Sequence, residues 1–448
     1  MVFRIKRKGL SHIQIIALGY FLIVILGTLL LRLPFATKSG AVAPFGTALF
    51  TSVSASCVTG LILENTVSYW SLFGQLVILC LIQLGGLGYM TIATVFYRLI
   101  IKKHGLREKV IMAESINTTR MNNFSSLIKK IFLGTVIIEL SGAALLSIRF
   151  IKLFGVAKGI YYGIFHSVSA FCNAGFDLLG NPTPFNSLTA FNSDPFVILV
   201  ISALIILGGL GFLVWDDLTI KHFRFKKLNL HSKIVLTTSA ALLVIGTLLF
   251  FALEYNNLFK GMPFSAKLLN SFFSAVTPRT AGFNTVDIAS LTESSKLLTV
   301  ILMFIGGSSG STAGGIKTTS FFVFLAFIFS SVRGRNNITA FKKSIKNEFL
   351  NKALLITLVN LSLALSGAFI ICAIEPVTLA DSFIETFSAI STVGLTAGVT
   401  PTLNFTSQVI LMFLMFCGRV GSVSFATALF EKKYTPPISY PNEAITVG

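Results

Sequence analysis

Long apolar runs alternate with short polar segments along the whole chain. Eight of these runs are long enough to cross a bilayer as a helix, which takes roughly 20 residues. They lie at 13–33, 73–100, 127–150, 195–220, 234–253, 297–329, 353–374 and 409–430. Between the two members of each successive pair lies a shorter apolar stretch of about 12 residues, a length that suits a re-entrant helix better than a span.

Each of the short stretches ends in a similar segment that finishes with glycine. The four segments are 52–60, 167–175, 274–282 and 386–394. Their near-equal spacing predicts four tandem units, which we place at 1–105, 106–222, 223–335 and 336–448. The expected fold is an all-α membrane protein of four outer helix, pore helix and inner helix repeats, with eight spans and four re-entrant pore loops around a central pore.

The last three residues of each segment are candidates for an ion-selectivity filter. They are Val58, Thr59, Gly60, Asn173, Ala174, Gly175, Thr280, Ala281, Gly282, Thr392, Val393 and Gly394. Thr392-Val393-Gly394 matches the start of the potassium-channel filter, in which backbone carbonyls replace the hydration shell of the ion. Glycine suits such a site because positive φ directs successive carbonyls inward, and a Cβ disfavours that conformation. In the simpler interpretation, the glycines merely end four buried half-helices.

A second glycine motif recurs within the inner runs, at 85–88, 208–211, 306–309 and 418–421. Close helix packing accounts for the first two copies. The third copy continues, so that residues 306–315 are all Gly, Ser, Thr or Ala. A continuous helix over 295–333 would be about 58 Å long, about twice the hydrocarbon thickness. We therefore expect the helix to break near the membrane midplane, below the filter, where unpaired backbone lines a cavity.

This broken segment and two cationic side chains form a candidate gate. Its members are Gly306, Gly307, Ser308, Ser309, Gly310, Ser311, Thr312, Ala313, Gly314, Gly315, Lys317 and Arg419. A loop with such small side chains is expected to be fixed by few contacts. Arg419 stands where the other repeats carry glycine, so its charge would oppose cation passage or hold the loop through its carbonyls. Alternatively, Arg419 tethers a neighbouring helix and Lys317 extends to the cytoplasmic surface.

Composition and charge place this pathway in a membrane. The chain is 54% hydrophobic and 12% charged, and a soluble domain carries about twice that charged fraction. The net charge of +19 comes mainly from the N-terminus and from segments 98–130, 221–233 and 333–352. This positive-inside pattern predicts a multi-pass plasma-membrane protein with both termini cytoplasmic, and it argues against nucleic-acid binding.

Other functional classes find little support. The five cysteines lack metal-type spacing, and no catalytic constellation lies in the spans, so we expect no enzyme activity and no covalently bound cofactor. A secondary cation transporter with alternating access would predict inverted repeats and paired intramembrane acids. These repeats run parallel, and Glu139 is interpreted as the only acid within a span, a structural hydrogen-bonding group whose partner the sequence does not identify.

The chain resembles the membrane subunit of the Trk, Ktr and HKT superfamily of potassium transporters, and most of all the Ktr type. The resemblance covers essentially the whole sequence. It rests on the segments 57–61, 173–176, 277–284 and 392–395, on the small-residue loop followed by Gly315-Ile316-Lys317, and on Gly418-Arg419.

The resemblance implies a homodimer in the lipid membrane, with a potassium pore in each subunit and the 446–448 tail at the dimer contact. It further implies a ring of cytosolic nucleotide-binding regulatory subunits on the basic face, and sodium as an activator of potassium flux. Family members that favour sodium carry serine at the first filter glycine, so Gly60 favours potassium. Asn173 and Ala174 replace the usual Thr-Val pair and should weaken selectivity.

Overall fold

The structure is a computed structural model that describes residues 12–88, 124–179, 187–334 and 337–421. Its α-helices are α1 (His12–Leu31), α2 (Phe45–Cys57), α3 (Thr66–Tyr69), α4 (Leu72–Leu87), α5 (Phe124–Phe154), α6 (Val156–Phe171), α7 (Pro195–Leu210), α8 (Phe212–Ile220), α9 (Leu230–Glu254), α10 (Phe264–Val276), α11 (Glu293–Phe304), α12 (Thr318–Val332), α13 (Asn347–Ile374), α14 (Leu379–Ser391) and α15 (Phe405–Val420). The N-terminal basic segment, most of 98–130 and the 446–448 tail lie outside the described residues.

One order of elements occurs four times: a long outer helix, a short helix, an extended segment with the repeated glycine, and an inner helix. The outer helices are α1, α5, α9 and α13, the short helices α2, α6, α10 and α14, and the inner helices begin with α4, α7, α11 and α15. The predicted repeat boundaries at 105/106 and 335/336 fall outside the described residues.

The inner helices are shorter than the apolar runs predict. Among the described residues, four helices are long and apolar enough to cross a membrane, and these are the outer helices. A fifth span is obtained only if α7 and α8, which are bent by 91° at Gly211, are counted together. The prediction of an unbroken span over 195–220 is therefore wrong. The backbone turns at Gly211, where φ is +92° and a Cβ would disfavour the conformation.

Polar caps fix where the inner helices begin. Side-chain oxygens of Ser71, Asp194, Thr292 and Asn404 accept hydrogen bonds from backbone N–H groups in the first turns of α4, α7, α11 and α15. Such caps satisfy N–H groups that have no partner within the helix. The same kind of cap in all four repeats starts each inner helix at a defined position after its candidate filter segment.

The four repeats close into a ring. Each inner helix packs against the short helix of the following repeat: α4 against α6, α7 against α10, α11 against α14, and α15 against α2. The short helices are therefore enclosed, whereas the outer helices expose apolar residues such as Leu22, Leu26 and Leu29, each more than half exposed. An apolar exterior of helices, whose backbone groups are bonded within each helix, suits contact with lipid.

A small hairpin interrupts the all-α pattern. Strands β1 (Ile338–Ala340) and β2 (Lys343–Ile345) pair antiparallel between α12 and α13, and the two turn residues, Phe341 and Lys342, both have positive φ. The expectation of a purely helical chain is wrong at this one connection of the described residues. The rings of Phe341 and Phe225 lie 6.2 Å apart, so the hairpin contacts the segment that precedes α9.

Candidate functional site

The four repeated glycines lie beside one another in a closed ring. A Cβ on Gly60 would lie 3.1 Å from the Cα of Gly175, and one on Gly175 would lie 3.0 Å from the Cα of Gly282. A Cβ on Gly282 would lie 3.2 Å from the Cα of Gly394, and one on Gly394 would lie 3.0 Å from the Cα of Gly60. The order around the ring follows the chain, so repeats 1 and 3 are opposite each other, as are repeats 2 and 4.

Each of the four candidate filter segments has the same backbone conformation. Positive φ occurs at the first and third residues of every triplet: Val58 (57°) and Gly60 (94°), Asn173 (58°) and Gly175 (72°), Thr280 (73°) and Gly282 (80°), and Thr392 (50°) and Gly394 (94°). The sequence predicts this conformation at the glycines, but it gives no sign of it at the four other residues. Positive φ is a genuine outlier for a β-branched residue such as Val58.

Backbone carbonyls of the middle residues face the same ring. A Cβ on Gly60 would lie 2.5 Å from the carbonyl oxygen of Ala174, and one on Gly175 would lie 2.9 Å from that of Ala281. The Val393 and Thr59 oxygens approach Gly282 and Gly394 in the same way. Since the short helices end before the triplets, these glycines are not simply helix terminators, as the simpler interpretation held.

A hydroxyl in each short helix, or directly after it in repeat 3, makes a hydrogen bond that holds the segment that follows. In repeats 1 and 4 the hydroxyl accepts a hydrogen bond from the N–H of the repeated glycine. In repeats 2 and 3 the hydroxyl donates to the carbonyl of the residue that follows this glycine. The bonds join Gly60 N to Ser54 Oγ (3.0 Å), Gly394 N to Ser388 Oγ (3.0 Å), Ser169 Oγ to Phe176 O (2.7 Å) and Thr277 Oγ1 to Phe283 O. Sequence reasoning missed these four residues, although each repeated segment contains its hydroxyl.

Glycines of the second motif let the inner helices approach the filter closely. A Cβ on Gly85, Gly208 or Gly418 would collide with a carbonyl oxygen at the end of a short helix, so the predicted role in close packing is confirmed. The motif also ends the helices, which the sequence did not predict. Residues Gly88, Gly211 and Gly421 have φ between 76° and 95° and follow α4, α7 and α15 directly.

The third inner helix breaks where the small residues predict. No helix lies between Phe304 and Thr318. The expectation that few contacts fix this loop is wrong, because its backbone is bonded to the second repeat. Ser308 N donates to Gly209 O (3.0 Å), Thr312 N donates to Gly208 O (3.4 Å), and Phe212 N donates to Gly310 O (2.7 Å). Small side chains allow this close backbone approach.

Arg419 connects the loop to the first repeat. One guanidinium nitrogen donates to Thr312 O at 2.5 Å, and another donates to Gly85 O and, at 3.1 Å, to Gly86 O. The predicted contact with a loop carbonyl is therefore present, together with the tether to a neighbouring helix that was the alternative. A single side chain joins repeats 1, 3 and 4 below the glycine ring.

Lys317 folds back onto its own loop. Its Nζ donates to Ala313 O at 2.6 Å and to Gly314 O at 3.3 Å. The alternative in which this side chain extends to the cytoplasmic surface is thus wrong, since the loop carbonyls offer partners closer by.

Glu139 has partners in neighbouring elements. Gln83 Nε2 donates to its carboxylate at 3.1 Å, and the Cys172 thiol lies 3.8 Å from the other oxygen. The carboxylate therefore bonds α4 and the residue before the second filter triplet. Two further acids belong to the predicted span 195–220, contrary to the interpretation that Glu139 is alone. Asp216 and Asp217 lie on α8 beyond the bend, bonded to Lys130 and Asn229.

The carboxyl of Asp177, near the second triplet in the sequence, has a shifted pKa. Asp177 is the second residue after Gly175, in the segment that leaves the second triplet. Burial raises the pKa of this carboxyl to about 6, while hydrogen bonds from Leu179 N and the Ser187 hydroxyl oppose the shift. No group of His, Cys, Asp and Glu in the described residues is arranged to hold a metal ion, and all five cysteines are free.

Comparisons with known proteins agree with this architecture. Residues 10–435 match the family described as TrkH, cation transport protein. The potassium/sodium uptake protein NtpJ of Enterococcus hirae is 42% identical and the Ktr system potassium uptake protein B of Bacillus subtilis 40% identical. The alignments cover 99% of this chain and 98% of NtpJ, and 97% of this chain and 96% of the Bacillus protein.

A solved structure shows the same fold. The potassium transporter TrkH from Vibrio parahaemolyticus matches with a TM-score of 0.74 over 96% of this chain and 87% of that chain, at 17% identity. The family match, the two relatives and the shared fold all extend over almost the entire length. The chain therefore belongs to the TrkH family of cation transport proteins.

Proposed function

We propose that this protein takes up potassium across the plasma membrane through a channel-like pore. The observation that carries the proposal is the closed ring of four filter segments with one repeated backbone conformation. Carbonyl oxygens in such a ring replace the hydration shell of a potassium ion. Of the two relatives described above, NtpJ is named a potassium/sodium uptake protein and the Bacillus protein a potassium uptake protein.

The loop at residues 305–317 is the proposed gate. It lies below the filter ring and is bonded to the broken inner helix of repeat 2 and to Arg419. A non-helical segment between two helices can exchange one set of hydrogen bonds for another, so that two arrangements differ by only a few kcal/mol. This arrangement is proposed as the closed one, in which the guanidinium adds an electrostatic barrier to cations.

Regulation is proposed to come from a cytosolic ring of nucleotide-binding subunits, with sodium as an activator and the membrane subunit as a homodimer. The support is the family resemblance together with one structural feature. Contact between Phe225 and Phe341 brings two basic segments together, so that Lys226, Lys227, Lys342 and Lys343 form one exposed basic face.

The direct test is ion flux in proteoliposomes that contain only the purified chain. Inward potassium flux down an imposed gradient should exceed sodium flux and should need no countertransported ion. Empty liposomes and liposomes with the Gly282→Ser variant serve as controls. A fixed stoichiometry between potassium and a second ion would instead favour an alternating-access secondary transporter.

A further inference from the structure

Two buried ionisable side chains occupy the same place in opposite repeats. His166 lies in α6 and Glu385 in α14, at the same sequence distance before the filter glycines Gly175 and Gly394. Their exposed fractions are 0% and 1%. Burying such groups costs free energy unless they are hydrogen-bonded, so the bonds they make indicate what they do.

Both side chains accept a hydrogen bond from the same backbone position beyond the filter. Leu178 N donates to His166 Nε2 at 3.2 Å, and Ala397 N donates to Glu385 Oε1 at 3.1 Å. Each donor is the third residue after the filter glycine of its repeat. A histidine and a glutamate therefore have the same role, which is to hold the segment that leaves the filter.

The surroundings fix each side chain as an acceptor. His166 Nδ1 lies 2.7 Å from Tyr162 O, and since a carbonyl oxygen only accepts, Nδ1 carries the proton and Nε2 is free to accept. The carboxylate of Glu385 also accepts from Thr396 Oγ1 at 2.5 Å and from Thr400 Oγ1. Both groups are thus committed to the segments that follow their own filters.

The other two repeats lack this acceptor. Thr51 and Phe273 occupy the corresponding positions, and within the described ranges neither side chain is bonded to the segment after its filter. In repeat 3 that segment is held differently, by Leu188 N donating to Asn284 O at 2.9 Å. Because repeats 2 and 4 are opposite in the ring, the two acceptors brace the filter along one diagonal.

We propose that His166 and Glu385 are positioning residues that set potassium selectivity by holding the outer end of the filter in repeats 2 and 4. The inference rests on the proposed function. Potassium and sodium are distinguished by where the filter carbonyls lie and how strongly they coordinate. If the N–H group beyond the glycine loses its acceptor, the adjoining backbone relaxes, and the loosened carbonyl ring accommodates sodium better.

Two substitutions at His166 separate the effect of the hydrogen-bond acceptor from the effect of packing by the imidazole ring. His166→Phe keeps an aromatic ring, as in repeat 3, but removes the acceptor. His166→Gln loses the ring but places an amide oxygen as many bonds from Cα as Nε2. In proteoliposomes, His166→Phe should raise the sodium-to-potassium flux ratio about fivefold, the factor expected when one hydrogen bond of ordinary strength is lost. His166→Gln should restore most of the wild-type ratio.

The same comparison at Glu385 gives an independent test in the opposite repeat. Glu385→Leu should raise the flux ratio by a similar factor, and Glu385→Gln, which keeps an acceptor for Ala397 N, should not. This pair decides the question if His166→Phe does not fold, as judged by size-exclusion chromatography in detergent.

Three results would overturn the proposal. A folded His166→Phe or Glu385→Leu protein with the wild-type flux ratio would show that the acceptor does not set selectivity. A Gln variant as unselective as its apolar counterpart would assign the effect to packing instead. Wild-type protein without potassium preference would refute the proposed function, and this inference with it.

Discussion

At each filter glycine, two separate constraints exclude a side chain. The backbone has positive φ, and the neighbouring repeat lies where a Cβ would be. Gly261 has a similar φ of +84° but nothing within 4 Å of its Cβ position. Because the chain offers both kinds of glycine, backbone strain and close approach can be tested separately.

Substitution by serine should therefore have different effects at these positions. Gly60→Ser and Gly282→Ser should weaken apparent potassium affinity and raise relative sodium flux several-fold, since the added Cβ displaces a carbonyl of the adjacent repeat. Gly261→Ser should cost about 1 kcal/mol of stability from the strained φ and leave selectivity unchanged. Flux measurements with both ions test this, and wild-type selectivity in both filter variants would refute the filter assignment.

Asp177 provides a prediction about pH. Its pKa, raised to about 6, means that the carboxylate is mostly ionised at pH 7 and mostly neutral at pH 5. A negative charge beside the filter raises the local cation concentration, so apparent potassium affinity should fall about two- to fivefold as external pH drops through 6. Asp177→Asn should show the weaker affinity already at pH 7. If the variant kept the full pH response, another group would be responsible.

Glu139 should matter for stability rather than selectivity. Glu139→Ala leaves the Gln83 amide without its carboxylate partner inside the protein, which should cost about 1–3 kcal/mol. Glu293→Ala is the matched control, because this carboxylate is largely exposed in its pair with Lys296 and such pairs contribute about 0–1 kcal/mol. Thermal unfolding in detergent measures the difference, and a selectivity change in Glu139→Ala would contradict the structural role.

The sequence predicts some filter residues and not others for a physical reason. A glycine at positive φ can be found from its repetition, because a Cβ is excluded there. Val58 and Thr392 are the left-handed C-caps of α2 and α14, and a β-branched residue gives no sign of that conformation in the sequence. The acceptors His166 and Glu385 were missed because two different residue types serve one role.

At the scale of elements, the outer helices follow from apolar length alone, whereas the inner helices do not. Glycine motifs that permit close packing and those that end a helix look the same in sequence, so the bend at Gly211 was not predicted. Likewise, the small residues of the 305–317 loop revealed a break but not its attachments. Those attachments combine backbone hydrogen bonds, for which side chains give little signal, with bonds from the Ser308 and Thr312 hydroxyls and from Arg419.

The loop attachments define a prediction about gating. Deleting residues 308–313 removes the bonds to Gly208 and Gly209 and the carbonyl that Arg419 contacts. Potassium flux should rise and depend less on the regulatory partner. Arg419→Ala should act in the same direction, and the two changes should be less than additive because they affect one barrier. Arg333→Ala, which removes an exposed cation, is the control.

The decisive measurement is flux through correctly folded deletion protein. A decrease with filter selectivity intact would mean that the loop is a required part of the pathway and does not obstruct it.

At the scale of the whole molecule, closure of the ring depends on contacts that no repeat shows in isolation. Each inner helix packs against the next short helix, and α15 returns to α2. Repetition in the sequence predicts equivalent units but not their order around an axis. Closure also gathers the connections between repeats, so the segment before α9 and the hairpin before α13 meet at Phe225 and Phe341.

That meeting gives the last prediction, which concerns the proposed regulatory partner. Charge reversal at Lys226, Lys227, Lys342 and Lys343 should lower affinity for a cytosolic nucleotide-binding subunit about tenfold or more, because complementary charges steer and hold such contacts. Reversal at Lys38, Lys152, Lys158 and Lys260, which are also exposed but lie in connections assigned to the opposite side, should have little effect. Binding assays at two salt concentrations measure the affinity of both sets of variants, and the wild-type interaction should weaken as salt is raised.

Nucleotide sensitivity of flux should follow the same pattern. The chain alone should conduct potassium without responding to nucleotides, and the response should appear with the partner and be lost in the first set of reversals. If both sets of charge reversals lost the nucleotide response equally, overall charge, and not this basic face, would govern assembly. Tight nucleotide binding by the isolated chain would place the regulatory site within the membrane subunit. It would contradict the proposal that a cytosolic partner supplies nucleotide regulation.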